Sequence, residues 1–529
     1  VNDDLRLPVL PIGQQSFRDL RENGYLYLDK TDLVLRLVQE GTSYFLARPR
    51  RMGKSLLVSL LQELFEGRQE LFHGLAIAES DYDFKPFPVV RLDFGSIDTR
   101  SIDSFESDLC EELRSIAAKK GLGEIQGTNP SRILVNLIRT IAESERVALL
   151  IDEYDSPILK NIAIPEKAER YLDLLGEFYT TVKSLQPYLR FTFVTGVCRA
   201  TTTTTFSGMN HLKDLSLRKD CATLLGVTEE EITHELLPFV KNIAEQRQTT
   251  EDAVRDLMRR WYNGYRFSGE PGALSVYNPH SLFCYLEEGM LENHWFETGT
   301  PSFAIDLIRQ RKYPITNFET GVKVSRSVLK ENFQLGSIDL VALLFQTGYL
   351  TIDHYDKSSR KYTLRFPNEE VRNSFFQCLL EVFFNATSAE AQQRIQEIEE
   401  GLRAGDVEPI VESCNLLLGR LSHHIQKKEE AFYHALIHTL LYTIGFSVES
   451  EKSGCKGRLD MGLHLGKKAY IFEFKRDSSA KAAIQQIHEK QYARAYEGEG
   501  LEIYLVGINV DSHACKIDDW AVEKQSLCE

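Results

Sequence analysis

The chain has few of the residues that staple a fold or anchor it in a membrane. Its nine cysteines (Cys110, Cys198, Cys221, Cys284, Cys378, Cys414, Cys455, Cys515 and Cys528) are odd in number, scattered, and never at Cys-x-x-Cys spacing. That pattern argues against a disulfide framework and a zinc cluster, and reduced, mostly buried thiols are expected. No apolar run approaches the roughly twenty residues of a membrane span. The start, Val1-Asn2-Asp3-Asp4, has neither a basic nor an apolar leader character. A cytoplasmic location with no membrane partner is therefore expected. Positive charge is short as well: 62 lysines and arginines against 77 acids leave a net charge of −15. Coating nucleic acid requires broad phosphate neutralisation, so any grip on it here must be local. No internal repeat or long linker stands out. With 529 residues, 43 % of them hydrophobic, the chain can bury more than one core.

The first chemical signal lies near the C-terminus. Gly457-Arg458-Leu459-Asp460 leads into an apolar stretch, and Tyr470-Ile471-Phe472-Glu473-Phe474-Lys475 follows. The turn signal Gly466-Lys467-Lys468 divides this into two strands of about nine residues each. The period of two along a strand points Glu473 and Lys475 to one face, where Asp460 can meet them. Two carboxylates on a concave face suit a hard divalent cation, Mg²⁺ or Mn²⁺. A lysine beside it can orient the attacking water and stabilise a pentavalent phosphate, so the set suits phosphodiester cleavage. The bland alternative is a surface hairpin with solvated charges. A helix is expected over 430–442, strands over 446–449 and 503–508, and a helix over 479–496. His434 and His438, at i, i+4, could bind zinc, but no further ligand falls at matching spacing, which favours packing or substrate contact. Lys452, Lys456, Arg458, Lys467, Lys468, Lys475, Arg476, Lys481 and Lys490 would form a basic rim that admits a nucleic-acid backbone.

That order of helix, three strands, helix and strand resembles the PD-(D/E)xK nuclease superfamily, with Leu459-Asp460 in place of its "PD". The resemblance implies Asp460 and Glu473 as metal ligands and Lys475 as the catalytic lysine. It also implies Glu430 as an added acidic ligand, with Glu429 competing for that role, and Gln486 as the recurrent glutamine of the second helix.

The second signal is near the N-terminus. A short apolar strand ending at Tyr44-Phe45-Leu46-Ala47 runs into Arg48-Pro49-Arg50-Arg51-Met52-Gly53-Lys54-Ser55 and a helix over 56–65. This matches a phosphate-binding loop except that Arg48 stands where G-x-x-x-x-G-K-[ST] has its first glycine. Lys54 would reach the β- and γ-phosphates of ATP and Ser55 would bind Mg²⁺. Arg50 and Arg51 lie in the loop, and Gly53 supplies its second glycine. A basic turn capped by serine is the simpler alternative. Downstream, 146–151 is a buried parallel strand ending in Asp152 and Glu153, in the manner of a Walker B strand. Asp152 would hold the Mg²⁺ water shell and Glu153 would polarise the attacking water. A strand over 189–197 carries Thr195 and is followed by Arg199, where related ATPases place a polar γ-phosphate sensor. Arg199 could equally pair with Asp152 or Asp155.

Further stretches make the likeness specific: Tyr27-Leu28-Asp29-Lys30-Thr31, Phe206-Ser207-Gly208-Met209-Asn210, Trp261-Tyr262-Asn263-Gly264-Tyr265-Arg266-Phe267 and Val276-Tyr277-Asn278-Pro279-His280-Ser281. The whole chain is similar to bacterial proteins that fuse an AAA-ATPase-like domain to a C-terminal PD-(D/E)xK nuclease domain. In that family the loop commonly reads Arg-Pro-Arg-Arg-x-Gly-Lys-Ser, so Arg48 is the family's habit. The expected architecture is α/β and multidomain. A P-loop, AAA-like αβα ATPase domain with its lid spans 1–275, a mostly helical middle region spans 276–420, and an αβββαβ nuclease domain spans 421–529. Toward the lid, Thr228 and Glu231 form a capping box, and in the middle region short strands are expected over 348–354 and 362–366. The Tyr-Asn-Gly-Tyr turn could stack on a base or pack a domain interface.

The function expected is an ATP-binding, ATP-regulated, metal-dependent nuclease, with DNA favoured over RNA and a defence role by analogy. The alternatives are a DNA motor and a non-catalytic nucleotide switch with a degenerate nuclease fold. A homo-oligomer fits the sensor arginine.

Overall fold

The computed structural model describes residues 7–162, 164–199, 209–295, 318, 321–330, 339–384, 388–420, 440–441, 447–450, 453–454, 457–458, 460–496, 501–514 and 516–525. The chain divides into two compact units, residues 1–372 and 373–529.

The first unit is built on a five-stranded parallel sheet. Its strands are β1 (Ser43–Ala47), β2 (Val89–Asp93), β3 (Val147–Asp152), β4 (Leu189–Gly196) and β5 (Lys213–Asp214), in the spatial order β2-β3-β4-β1-β5. All six residues of β3, Val-Ala-Leu-Leu-Ile-Asp, are buried, as a strand covered on both faces requires. Because the strands are parallel, Ala47, Asp93, Asp152 and Gly196 emerge at one edge, where doubly wound sheets bind ligands. Helix α1 (Lys54–Phe65) follows β1 and packs on the sheet, with Phe65 against Phe191.

Beyond the sheet, the expected capping box of Thr228 and Glu231 forms in full and opens the helix Glu229–His234. That helix shares an apolar core with Leu237–Gln246, Glu251–Tyr262 and α2 (Pro279–Glu288). A small antiparallel sheet of β6 (Val322–Val324), β7 (Thr351–Asp356) and β8 (Lys361–Arg365) follows, ordered β6-β8-β7. The strand expected to begin at 348 starts later, because Gly348 caps the helix Leu340–Thr347 in a left-handed conformation. Tyr262 and Tyr265 are buried, so these rings pack the interior and are not free to stack on a base.

The second unit carries a five-stranded sheet of β9 (Ser447–Ser450), β10 (Met461–Leu465), β11 (Lys468–Arg476), β12 (Glu502–Asp511) and β13 (Lys516–Lys524), ordered β13-β12-β11-β10-β9. Only β11 and β12 run parallel, and α3 (Ala480–Lys490) makes the crossover between them. Gly507 lets α3 lie close to β12, since a Cβ there would sit 2.2 Å from the Ala480 carbonyl oxygen. β10 has five residues, shorter than the nine expected. Strand β13 was not anticipated. It is an edge strand in which Ile517 alone is buried, so it lacks the apolar alternation that marks a strand. Helices Ser388–Ala404 and Glu408–Arg420, read from sequence as middle region, fall in this unit and contribute Ile398, Leu402, Ile410 and Cys414 to its core. Cys110, Cys198, Cys221, Cys284, Cys378 and Cys414 are buried free thiols. Among the described residues no helix is long and apolar enough to cross a membrane.

Candidate functional site

The loop between β1 and α1 has the backbone of an anion cradle. Arg51 (φ 64°) and Gly53 (φ 93°) are both left-handed, and no side chain caps the N-terminus of α1. The first-turn N–H groups and the helix dipole are therefore directed at whatever the loop holds. Lys54 is buried, and its Nζ donates to the carbonyl oxygens of Arg48 (3.1 Å) and Pro49 (2.9 Å). Burial lowers its pKa, opposed by the carboxylates of Asp152, Asp155 and Glu153. Ser55 follows at the helix start, half-buried. The Arg50 carbonyl is held from the other side by Trp295 Nε1 (3.2 Å) and Asn278 Nδ2 (3.3 Å). Asn278, from the Val-Tyr-Asn-Pro stretch, also caps α2.

Arg48 does not enter the cradle. Its guanidinium is 1 % exposed and turns into the protein, donating to the carbonyl oxygens of Ala47 (3.0 Å), Ser216 (2.7 Å) and Cys221 (3.0 Å). It lies 3.9 Å over the Phe267 ring, and burial pulls its pKa down to about 9. The residue in the place of the first glycine is thus a tie between the loop and the segment after β5.

On β3, Asp152 is buried and its Oδ1 accepts the Glu153 N–H at 2.9 Å. Glu153 is left-handed (φ 48°), a conformation that costs a non-glycine residue energy and clusters at functional sites. Burial raises its pKa, and the charges of Asp93 and Asp152 add to the effect. Asp93 was missed in the sequence. It pairs in register with Asp152, and its own pKa is raised by burial and by Asp152. A Cβ at Gly95 would lie 2.3 Å from Glu153 Oε2 and 3.0 Å from Asp93 Oδ1, so glycine leaves room there for both acids.

The two sensor candidates are both engaged elsewhere. Thr195 is buried and its Oγ1 donates to the Leu46 carbonyl at 2.9 Å, stitching β4 to β1. Arg199 forms an ion pair with Asp214, and its N–H donates to Gln346 Oε1 at 2.7 Å. The pairing with Asp152 or Asp155 anticipated from sequence is therefore corrected: Asp214, at the end of β5, stands nearer. Asp155 is itself buried and accepts the N–H groups of Val197 and Cys198 (2.9 and 2.7 Å). An apolar cleft opens beside Gly53, lined by Leu26, Leu28, Met52, Leu225, Val227 and Phe283. The Lys30–Glu231 ion pair (2.6 Å) joins the N-terminal stretch to the capping-box helix.

In the second unit, β11 delivers Glu473 and Lys475 to one face as expected. Lys475 Nζ is 3.2 Å from Glu473 Oε1, and Gln486 Nε2 of α3 donates to the same oxygen. Glu473 is 1 % exposed. Asp460, just before β10, accepts the Phe474 N–H through Oδ2 at 3.1 Å, which brings it beside the Glu-x-Lys. Tyr492, also missed from sequence, is buried against this group. Its pKa is raised by burial, with Glu473 and Asp460 adding to the rise and a hydrogen bond with Gln486 opposing it. The donor set fits a hard divalent cation, since two carboxylates converge with a lysine and an amide around them. Glu430, Glu429, His434 and His438 lie outside the described residues.

Two similarities bear on identity. Residues 11–206 match the family model described as predicted AAA-ATPase, and residues 428–520 match the PD-(D/E)XK nuclease superfamily. The chain is 33 % identical over 526 residues to "Uncharacterized protein in vnfD 5'region" of Azotobacter chroococcum mcd 1, an alignment covering 97 % of this chain and 98 % of the relative. The chain belongs to the family that joins a predicted AAA-ATPase to a PD-(D/E)XK nuclease domain.

Within this AAA-ATPase and nuclease fusion, Lys54, Ser55, Asp152, Glu153, Thr195 and Arg199 fall in the matched ATPase segment, and Asp460, Glu473, Lys475 and Gln486 in the matched nuclease segment. Of the basic rim read from sequence, Lys452 and Lys456 lie outside the described residues. Lys468 opens β11 and Lys467 precedes it, roughly 23–26 Å from Lys475 at about 3.3 Å per residue. Lys468 is engaged there with the Arg403 carbonyl.

Proposed function

We propose that this protein is a divalent-metal-dependent nuclease whose activity is regulated by ATP, with DNA as the favoured substrate. The observation that carries the reading is the convergence of Asp460, Glu473, Lys475 and Gln486 on one face of β11. In this reading Asp460 and Glu473 hold Mg²⁺ or Mn²⁺, which would supply Lewis-acid stabilisation of the phosphate. Glu430 is assigned as an added ligand by resemblance. Lys475 orients the attacking water and stabilises the developing charge. Gln486 and Tyr492 keep Glu473 in place, so that its carboxylate does not swing toward solvent.

In the ATPase domain, Lys54 exchanges its two loop carbonyls for the β- and γ-phosphates. Ser55 and Asp152 would hold the nucleotide's Mg²⁺, Glu153 and Asp93 would face the attacking water, and the apolar cleft beside Gly53 would take the base. Arg50 and Arg51 flank the triphosphate. Arg199 would sense it by leaving Asp214, with Thr195 holding the strand beneath. Such a pairing of a nucleotide-responsive domain with a nuclease suits defence against foreign nucleic acid.

The test is cleavage of supercoiled plasmid, linear DNA and RNA by the full chain with Mg²⁺ or Mn²⁺, beside Lys475→Ala. Metal-dependent cutting that the variant loses supports the reading. Equal cutting by both proteins, or no cutting of any substrate either with or without ATP, rejects it.

A further inference from the structure

The Trp261 to Phe267 stretch has no place in either site, yet it builds one wall of a polar cavity in the first unit. Asn263, Gly264 and Arg266 face Thr351, Asp353 and Arg365 across about 230 Å³, with Arg259 alongside. The wall is held closely. Gly264 is left-handed (φ 101°), and a Cβ there would lie 1.9 Å from the Pro367 carbonyl oxygen, so only glycine fits the turn. Thr351 Oγ1 accepts the Arg266 N–H at 2.7 Å, and Asn368 donates to the Asn263 carbonyl at 2.7 Å.

Three arginines line this cavity, two of them bonded to Asp353 and the third to acids beside it. Arg365 pairs with Asp353 at 2.9 Å while its side chain stays 58 % exposed. Arg259 pairs with Glu229 (2.8 Å) and Asp256 (2.7 Å) and remains about half-exposed. Arg266 donates through Nη1 to the Asp353 carbonyl, but its Nε is buried and finds no hydrogen-bond partner among the described residues. Arg266 thus belongs to the wall, and the half-exposed guanidinium forks of Arg259 and Arg365 are the ones that a ligand can reach. Guanidinium forks match the oxygens of a phosphoryl group in geometry and charge. The volume is below the roughly 300–1,000 Å³ of pockets that enclose a whole drug-sized ligand, which suits a phosphate end with the remainder outside.

We propose that this cavity binds the terminal phosphoryl group of a nucleotide phosphomonoester, free or at the end of a nucleic-acid strand, at a site separate from the P-loop. The next residue, Phe267, lies under the buried Arg48 guanidinium, so the cavity wall and the phosphate loop share a packed contact.

The test is calorimetry on the full chain carrying Lys54→Ala, in EDTA, so that neither P-loop nucleotide binding nor metal-dependent binding intrudes. The probes are a 5′-deoxynucleoside monophosphate and its nucleoside, and a short DNA oligonucleotide with and without its 5′-phosphate. The phosphorylated member of at least one pair is expected to bind about tenfold more tightly than its counterpart. The pair showing the difference identifies the source of the phosphate. Arg259→Gln with Arg365→Gln should weaken that binding by about tenfold. Asp353→Asn should strengthen it severalfold, a gain that misfolding cannot produce. Equal binding of both members in both pairs, or an Asp353→Asn protein that binds no better than its parent, overturns the proposal.

Discussion

Replacing Arg48 by glycine would restore the usual phosphate-loop pattern, and on motif grounds it should improve nucleotide binding. The structure predicts the opposite. Arg48 makes three donations to backbone carbonyls and stacks on Phe267. Hydrogen bonds of charged groups contribute about 1.5–3 kcal/mol each, and a desolvated cation–π contact about 2 kcal/mol. Against this stands the burial of the charge. That burial pulls its pKa down from the usual arginine range to about 9, which corresponds to roughly 5 kcal/mol at about 1.4 kcal/mol per unit. The net loss expected for Arg48→Gly is about 2–5 kcal/mol, because the carbonyls of Ser216 and Cys221 lose their donor and glycine adds chain entropy. Urea unfolding of wild type and variant, followed beside titration with a fluorescent ATP analogue, measures both consequences. The variant should unfold at lower urea and bind nucleotide more weakly. A variant as stable as wild type that binds ATP more tightly would refute the reasoning and make Arg48 an obstruction in the loop.

Glu370 offers a pH test. It is buried, receives the Trp295 N–H at 2.8 Å, and burial raises its pKa from 4.5 to about 8. A carboxyl with a raised folded pKa binds more protons in the native state, so its contribution to stability falls as pH rises from about 4.5 to 8. The loss is up to roughly 4–5 kcal/mol. Glu370→Gln should flatten that slope and stabilise the protein at pH 8, as urea unfolding at pH 5.5 and 8 would show. An unchanged difference between the two pH values would contradict it. Gly507→Ala places a Cβ 2.2 Å from the Ala480 carbonyl oxygen and should cost about 1–3 kcal/mol or more as α3 is pushed off β12. Thermal unfolding reports it. Gln486→Ala should leave the fold intact and lower cleavage by roughly tenfold to a hundredfold, as loss of a positioning contact at a metal ligand does. A rate equal to wild type would remove Gln486 from the site.

The local chemistry was legible where periodicity or spacing carries it. The alternation along β11 places Glu473 and Lys475 on one face, and the apolar strand before Gly53-Lys54-Ser55 announces the phosphate loop. What escaped depends on partners far along the chain. The role of Arg48 is set by Ser216, Cys221 and Phe267, which no local pattern connects to it. Asp93 is a single acid at a strand end and gains meaning only when β2 and β3 align in register. Strand β13 buries only Ile517 and so reads as a polar tail. Arg199 chose Asp214 over the acids of β3 because β5 brings that residue to the same sheet edge.

In the proposed mechanism, nucleotide held by Lys54 governs cutting by Lys475. The most direct measurement is the metal-dependent cleavage rate of the full chain with and without ATP, in wild type, Lys54→Ala and Lys475→Ala proteins. ATP should change the wild-type rate and leave the Lys54→Ala rate alone, and Lys475→Ala should not cut. A wild-type rate identical with and without ATP, or cutting that survives in Lys475→Ala, would contradict it.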